Sequence, residues 1–186
     1  MLTNTDTNFY HKFNHKNRIT TLIGMMGTGK SKFGRLVSKT LNFNFYDTDS
    51  LIEREFNTTI KNLFEKNGET FFRKAEKKTI KKIFFKALKL KEKAIISIGG
   101  GAFDLIETRE ILLKNSNVIW LNTPIDVLIE RIGNGSKRPM IKEDVKKSVN
   151  NLLKKRIKYY SLSHHQIDTE KLSQFQITKK IIDIIT

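Results

Sequence analysis

Residues 19–41 read ITTLIGMMGTGKSKFGRLVSKTL. Ile19–Ile23 is a short β-branched run. Lys30–Leu41 carries Phe33, Leu36, Val37 and Leu41 at helical spacing. Between them, Gly24-Met-Met-Gly27-Thr28-Gly29-Lys30-Ser31 matches G-x-x-x-x-G-K-[ST] in full. With glycine at ~7% of residues, chance supplies such a match in about one chain of this length in a hundred. The strand before it and the helix after it make it more specific. Glycines let backbone N–H groups turn inward as an anion nest at the positive end of a helix. Gly27, Thr28 and Gly29 are expected to wrap a nucleotide phosphate. Lys30 is expected to bridge the β- and γ-phosphates, and Ser31 to ligate Mg²⁺.

Outward from this loop, apolar runs alternate with helical patterns. Phe43–Tyr46 reads as a second strand, with a helix start at Asp49. Ala94–Ile98 is a third strand, stopped by three glycines. A helix near Leu105–Lys114 precedes the strand Val118–Leu121. A helix Pro124–Ile132 opens with proline in its first turn. A polar stretch from 133 to 144, broken by glycine and proline, is the expected mobile lid. A long helix near 143–160, a short strand at Gln166–Ile167 and a helix Ser173–Ile185 close the chain. Strands separated by helices predict an α/β fold with a parallel sheet covered on both faces, a three-layer sandwich. Ligands of such sheets bind beyond the carboxyl ends of the strands, so the loops at Gly24, Asp47, Gly99 and Asn122 are expected to share one rim.

The chain has 186 residues, enough for one domain of about 19–186 behind a polar tail at 1–18. It has no cysteine, which excludes a disulfide scaffold, a thiolate zinc site and a cysteine nucleophile. No apolar run approaches the ~18–20 residues of a membrane span. The first 18 residues carry three basic side chains, Asp6 and no apolar core of a secretory signal, and the cytoplasm is the expected compartment. The net charge is +16. Of 35 cations 27 are Lys, and Lys, Asn, Ile and Phe share A/T-rich codons. The densest run, Lys61 to Lys93 with 11 Lys, interleaves with Phe71, Phe72, Ile80, Ile83, Phe84 and Ala87. That is the wet face of an amphipathic helix rather than a nucleic-acid stripe.

Three further motifs carry chemistry. Asp47-Thr-Asp49 follows the second strand. A kinase acting on an alcohol needs a carboxylate for the hydroxyl proton and often a second near magnesium. Equally, one Asp is placed to cap the helix beginning at Ser50. Phe72-Arg73-x-x-Glu76 offers either a planar fork for a carboxylate or an i, i+3 ion pair. Gly99-Gly100-Gly101 permits close backbone approach to a ligand, or simply a turn.

Together with Arg138-Pro139 and Arg156-x-x-x-Tyr160, these elements resemble the shikimate kinase family in order and spacing, from about Ile19 to the C-terminus. The resemblance implies a phosphate-loop kinase fold, five parallel strands in order 2-3-1-4-5, with substrate-binding helices at about 49–90. It implies ATP-dependent phosphorylation of the 3-hydroxyl of shikimate on the route to chorismate, with Mg²⁺ and a monomeric enzyme. Carried over by position, Lys30 and Ser31 hold phosphate and metal, and Asp47 reaches Mg²⁺ through water. Asp49 binds ring hydroxyls and serves as base. Arg73 and Arg156 grip the substrate carboxylate beside Gly99, Gly100 and Gly101. Arg138 reaches the γ-phosphate from the lid, and Arg131 lies along adenine.

There are departures. Lys32 replaces a second small hydroxyl residue in the nucleotide shell, His164-His165 stands where the family commonly has Ala-Asp, and 169–174 lacks a proline. Three alternatives stay open: a gluconate-kinase-like enzyme on the same fold, a catalytically silent relative, and a basic nucleic-acid-binding ATPase.

Overall fold

Each apolar run and each 3.6-residue stripe becomes the element its pattern dictates. The computed structural model describes residues 18–135, 139–141 and 144–186. It begins with strand β1 (Ile19–Ile23), helix α1 (Lys30–Leu41), strand β2 (Asn44–Asp47), helix α2 (Thr48–Phe56) and the long helix α3 (Ile60–Lys89). Strand β3 (Ala94–Ser97), a 3-10 turn (Ala102–Asp104), helix α4 (Ile106–Asn115) and strand β4 (Asn117–Asn122) follow. Helix α5 (Ile125–Ile132), helix α6 (Val145–Tyr160), strand β5 (His165–Asp168) and helix α7 (Gln174–Ile185) complete it.

All strands pair in parallel in the order β2-β3-β1-β4-β5, as the resemblance implied. Strand β1 is central, with Thr21 opposite Ile96 on one side and Val118 on the other. Alternation sorts the side chains into two cores. Ile19, Ile23, Ile96, Val118 and Trp120 pack under Phe84 of α3, Leu112 of α4, Leu128 of α5 and Tyr160 of α6. Leu22, Ile95, Ile119, Leu121 and Ile167 face Phe33 and Val37 of α1 and Ile177 and Ile181 of α7. A sheet buried on both faces needs apolar residues at successive positions, which is why these strands read as continuous runs. Thr21, polar and fully buried, bonds Ser116 Oγ at 2.8 Å, and that hydroxyl donates onward to the Leu112 carbonyl.

The long helix differs from its expected stripe at one position. Phe72, Glu76, Ile80, Ile83 and Ala87 are buried, but Phe71 is 38% exposed and meets Phe56 edge-on. Residue 71 lies ~100° around the helix from 72, off the face that meets the sheet. Lys74, Lys78, Lys82, Lys86 and Lys89 are exposed on that helix, as the wet-face reading expects. Gly68 bends the helix with φ 78° and ψ 171°, a conformation open to glycine alone at low cost. Pro124 sits at the N-cap of α5, one residue outside the turn expected to contain it. Of the tail at 1–18 and the lid at 133–144, residues 1–17, 136–138 and 142–143 lie outside the described residues.

Candidate active site

The carboxyl ends of β1, β2, β3 and β4 form one rim, and the loops there meet. After β1, Gly24 has φ 137°, and a Cβ on it would come within 2.6 Å of the Leu121 carbonyl oxygen. Glycine is required on both counts. The first intrahelical bond of α1 runs from Phe33 N–H to Gly29 O, so the N–H groups ahead of it open onto the loop. Lys30 is buried, and its Nζ donates to the carbonyls of Gly24 and Met25, each at 2.9 Å. The amine is thereby held across the loop mouth. Thr28 Oγ1 donates to Met25 O at 2.9 Å. Arg131, in the last turn of α5, donates from Nη1 to Gly27 O at 3.1 Å, at the loop edge. Lys32 is exposed, so the loop offers its backbone N–H there and no hydroxyl. Arg138 lies outside the described residues.

The two aspartates divide the roles that the sequence left open. Asp47 ends β2, and its Oδ1 accepts from Ser50 N–H at 3.1 Å, capping α2. Asp49, in the first turn, lines the cleft between the phosphate loop and α3. Thr48 between them is fully buried, and its Oγ1 accepts from Gly99 N–H at 3.2 Å. That bond ties the end of β2 to the glycine triplet. Ser31 Oγ lies 3.4 Å from Ser97 Oγ beneath the loop. The hydroxyl of Ser31 and the carboxylate of Asp47 are hard oxygen donors, and a site with so few protein ligands fits Mg²⁺, which keeps several waters. Among the described residues no three His, Cys, Asp or Glu side chains cluster as a dedicated metal cage.

The cleft encloses about 440 Å³, part of it open to solvent. Ile60, Phe64 and Phe72 form an apolar wall, and Pro139 and Met140 approach from the lid side. Its polar floor is built from α3, α6 and the triplet. Arg73 Nη1 donates to Glu76 Oε2 at 2.7 Å, and its Nε and Nη2 donate to Glu69 Oε1 at 3.3 and 3.2 Å. Arg156 is 3% exposed and donates from Nε to Asp104 Oδ2 at 3.0 Å. Tyr160 O–H donates to Gly100 O, holding the triplet from α6. Both forks converge over Gly101. A Cβ there would stand 2.7 Å from Arg156 Nη2 and closer still to Arg73 Nη2.

Burial dominates the electrostatics of this floor. Glu76 is 1% exposed, and desolvation, with Asp49 nearby, pushes its carboxyl up to about 7 despite Arg73 and Arg156. Burial likewise raises the Asp104 carboxyl, against the pull of Arg156. It also raises the Tyr160 hydroxyl, so that group stays protonated and donating. The structure thus brings Lys30, Ser31, Asp49, Arg73, Arg156 and the triplet to one rim. Sequence reasoning gave no role to Thr48 or Asp104. Thr48 lay inside a quoted motif. Asp104 follows the triplet closely, but no local pattern sets it apart.

The comparisons with known proteins agree with this geometry. A family model described as shikimate kinase matches residues 26–186. A shikimate kinase of Persephonella marina is 35% identical over 161 residues, covering 87% of this chain and 94% of its own. The crystal structure of a shikimate kinase from Acinetobacter baumannii in complex with shikimate superposes with a TM-score of 0.84 at 28% identity. That match covers 97% of this chain and 96% of the other. A gluconokinase from Sinorhizobium meliloti reaches a TM-score of 0.56 at 12% identity over 91% of this chain and 93% of its own, a likeness of fold alone. The chain belongs to the shikimate kinase family, whose members are phosphotransferases.

Proposed function

We propose that this chain transfers the γ-phosphoryl group of ATP to the 3-hydroxyl of shikimate, giving shikimate 3-phosphate and ADP on the route to chorismate. The observation that carries the reading is the convergence of Arg73 and Arg156 over Gly101, beside Asp49 and at the mouth of the phosphate loop. Two planar forks suit a carboxylate, which each can take bidentately. With the carboxylate fixed there, the ring hydroxyls turn toward Asp49 and the loop.

Phosphoryl transfer is mostly positioning and charge stabilisation. The loop N–H groups and Lys30 hold the β- and γ-phosphates. Asp49 accepts the hydroxyl proton as the oxygen bonds to Pγ and the bond from Pγ to the β-bridging oxygen breaks. Ser31, with Asp47 through water, would hold Mg²⁺, which supplies charge neutralisation on the phosphates when bound. Arg131 lies along adenine, and Arg138 closes on the γ-phosphate from the lid, excluding water. The proposed setting is the cytoplasm with a single chain as the working unit. No described helix is long and apolar enough to cross a membrane.

An assay coupled to ADP release, offering shikimate, gluconate or no acceptor, tests the reading. Shikimate is expected to raise ATP turnover far above the other two. Turnover that is the same with and without shikimate overturns it.

A further inference from the structure

The two arginines of the floor are held differently. Arg73 has carboxylates on both sides, Glu69 and Glu76. Among the described residues Arg156 has one, and it takes only Nε, the inner corner of the guanidinium. That mode of tethering fixes the plane of the group, with Nη2 turned to Gly101 and Nη1 lying beside Gly100, where it also donates to Met25 Sδ at 3.8 Å. A carboxylate placed end-on would have occupied the fork instead.

The tether is itself anchored. Asp104 closes the 3-10 turn that begins at the triplet, with its N–H donating to Gly101 O at 3.2 Å. Arg109 Nη1 donates to the carbonyls of Phe103 and Asp104 at 2.9 and 3.1 Å, and its guanidinium stacks 4.6 Å from the Tyr159 ring centroid. Tyr159 and Arg156 share α6, so one helix supplies both the arginine and the ring that braces its tether. The other carboxylate oxygen of Asp104, Oδ1, is buried and has no hydrogen-bond partner among the described residues. The side chain as a whole is 31% exposed, but an unpaired buried oxygen is a cost to the fold. Among the described residues, the side-chain hydrogen bond that Asp104 does make is the one from Arg156 Nε to its Oδ2.

We propose that Asp104 is a positioning residue for the substrate-carboxylate clamp: by taking the Nε–H of Arg156 it sets the guanidinium plane, with Nη2 over Gly101 and Nη1 beside Gly100. The inference rests on the reading that Arg73 and Arg156 grip the carboxylate of shikimate.

The test is steady-state kinetics on the full chain carrying Asp104→Ala or the near-isosteric Asp104→Asn, with ADP binding by calorimetry. Loss of a charge-assisted bond that orients the fork raises KM for shikimate about ten-fold in the Ala variant and a few-fold in Asn, which keeps an acceptor without the charge. The kcat, the KM for ATP and the affinity for ADP stay within about two-fold of wild type. In an Arg156→Ala background, adding Asp104→Ala leaves shikimate affinity unchanged, because nothing remains to orient. The proposal is overturned if KM for shikimate in the folded variants stays within about two-fold of wild type, or if kcat and both KM values move together. Should Ala not fold, Asn decides. A wild-type chain whose turnover ignores shikimate overturns the functional reading and this inference with it. Shikimate-dependent turnover with unmoved KM in the variants overturns this inference alone.

Discussion

Gly101→Ala isolates the clamp from the rest of the fold. The backbone at this position has φ −100° and ψ −4°, which an L-residue adopts, so the substitution does not strain the chain. The glycine is needed for space. The added Cβ would stand 2.7 Å from Arg156 Nη2 and 2.8 Å from Arg73 Cζ. Both are about 1 Å short of the ~3.5–4.0 Å at which non-bonded atoms settle. Neither fork can retreat freely, because Glu76 and Glu69 hold one and Asp104 holds the other. The guanidinium groups therefore turn off axis, and the proposed bidentate grip on the substrate carboxylate should be lost. A charge-assisted hydrogen bond is worth ~1.5–3 kcal/mol, and a misplacement of ~1 Å costs on the order of 10²-fold. The expected outcome is a fall in kcat/KM for shikimate of about 30–100-fold, carried mostly by KM, with KM for ATP unchanged within about two-fold. The variant is expected to fold, with a modest loss of melting temperature, because turning the forks loosens their bonds to Glu69, Glu76 and Asp104. ADP-release kinetics at varied shikimate, with a thermal melt as control, read this directly. If the Ala variant folds and its KM for shikimate stays within about three-fold of wild type, the substrate carboxylate does not lie between these forks.

Three other outcomes follow from the same floor. Asp49→Asn should lower kcat by about 10²–10⁴ while ATP affinity, measured by calorimetry, holds, and unchanged turnover removes Asp49 as the base. Arg73→Lys should raise KM for shikimate about ten-fold, because an ammonium offers no planar fork and breaks the paired bonds to Glu69 and Glu76; unaltered KM refutes its place in the clamp. Glu76 carries its carboxyl from the ordinary 4.5 up to about 7 in the folded chain. Between those values the native state holds a proton that the unfolded state has released. Stability from this group is therefore gained as pH falls from about 7 toward 4.5 and lost as pH rises through that window. Melting temperature followed from pH 5 to 8 should slope downward more steeply in wild type than in Glu76→Gln, and equal slopes would show that burial does not raise this group.

The carboxylates show where local pattern stops being informative. Asp47 and Asp49 are both polar residues at a strand-to-helix junction, and the sequence allows either to cap. The helix begins at Thr48, so Asp47 occupies the N-cap and accepts Ser50 N–H, while Asp49 turns into the cleft. One residue of helix phase decides which carboxylate faces the cleft. Phe71 and Phe72 pose the same problem in the long helix, where the adjacent residue is the one that reaches the core.

The sequence by itself determined the parallel sheet, its two buried faces and the phosphate loop. These depend on short-range rules: continuous apolar strands, a 3.6-residue stripe, and glycines where backbone N–H groups must converge on an anion. The residue types of the clamp were also visible, because a chain so rich in lysine keeps arginine at positions 73 and 156. Only the tertiary structure decided that these two forks meet over Gly101, that Asp104 holds one of them by Nε, and that burial lifts Glu76 to about 7. Spacing describes one face of one element. Convergence and desolvation are set by all the elements packed around a point, and those come from distant parts of the chain.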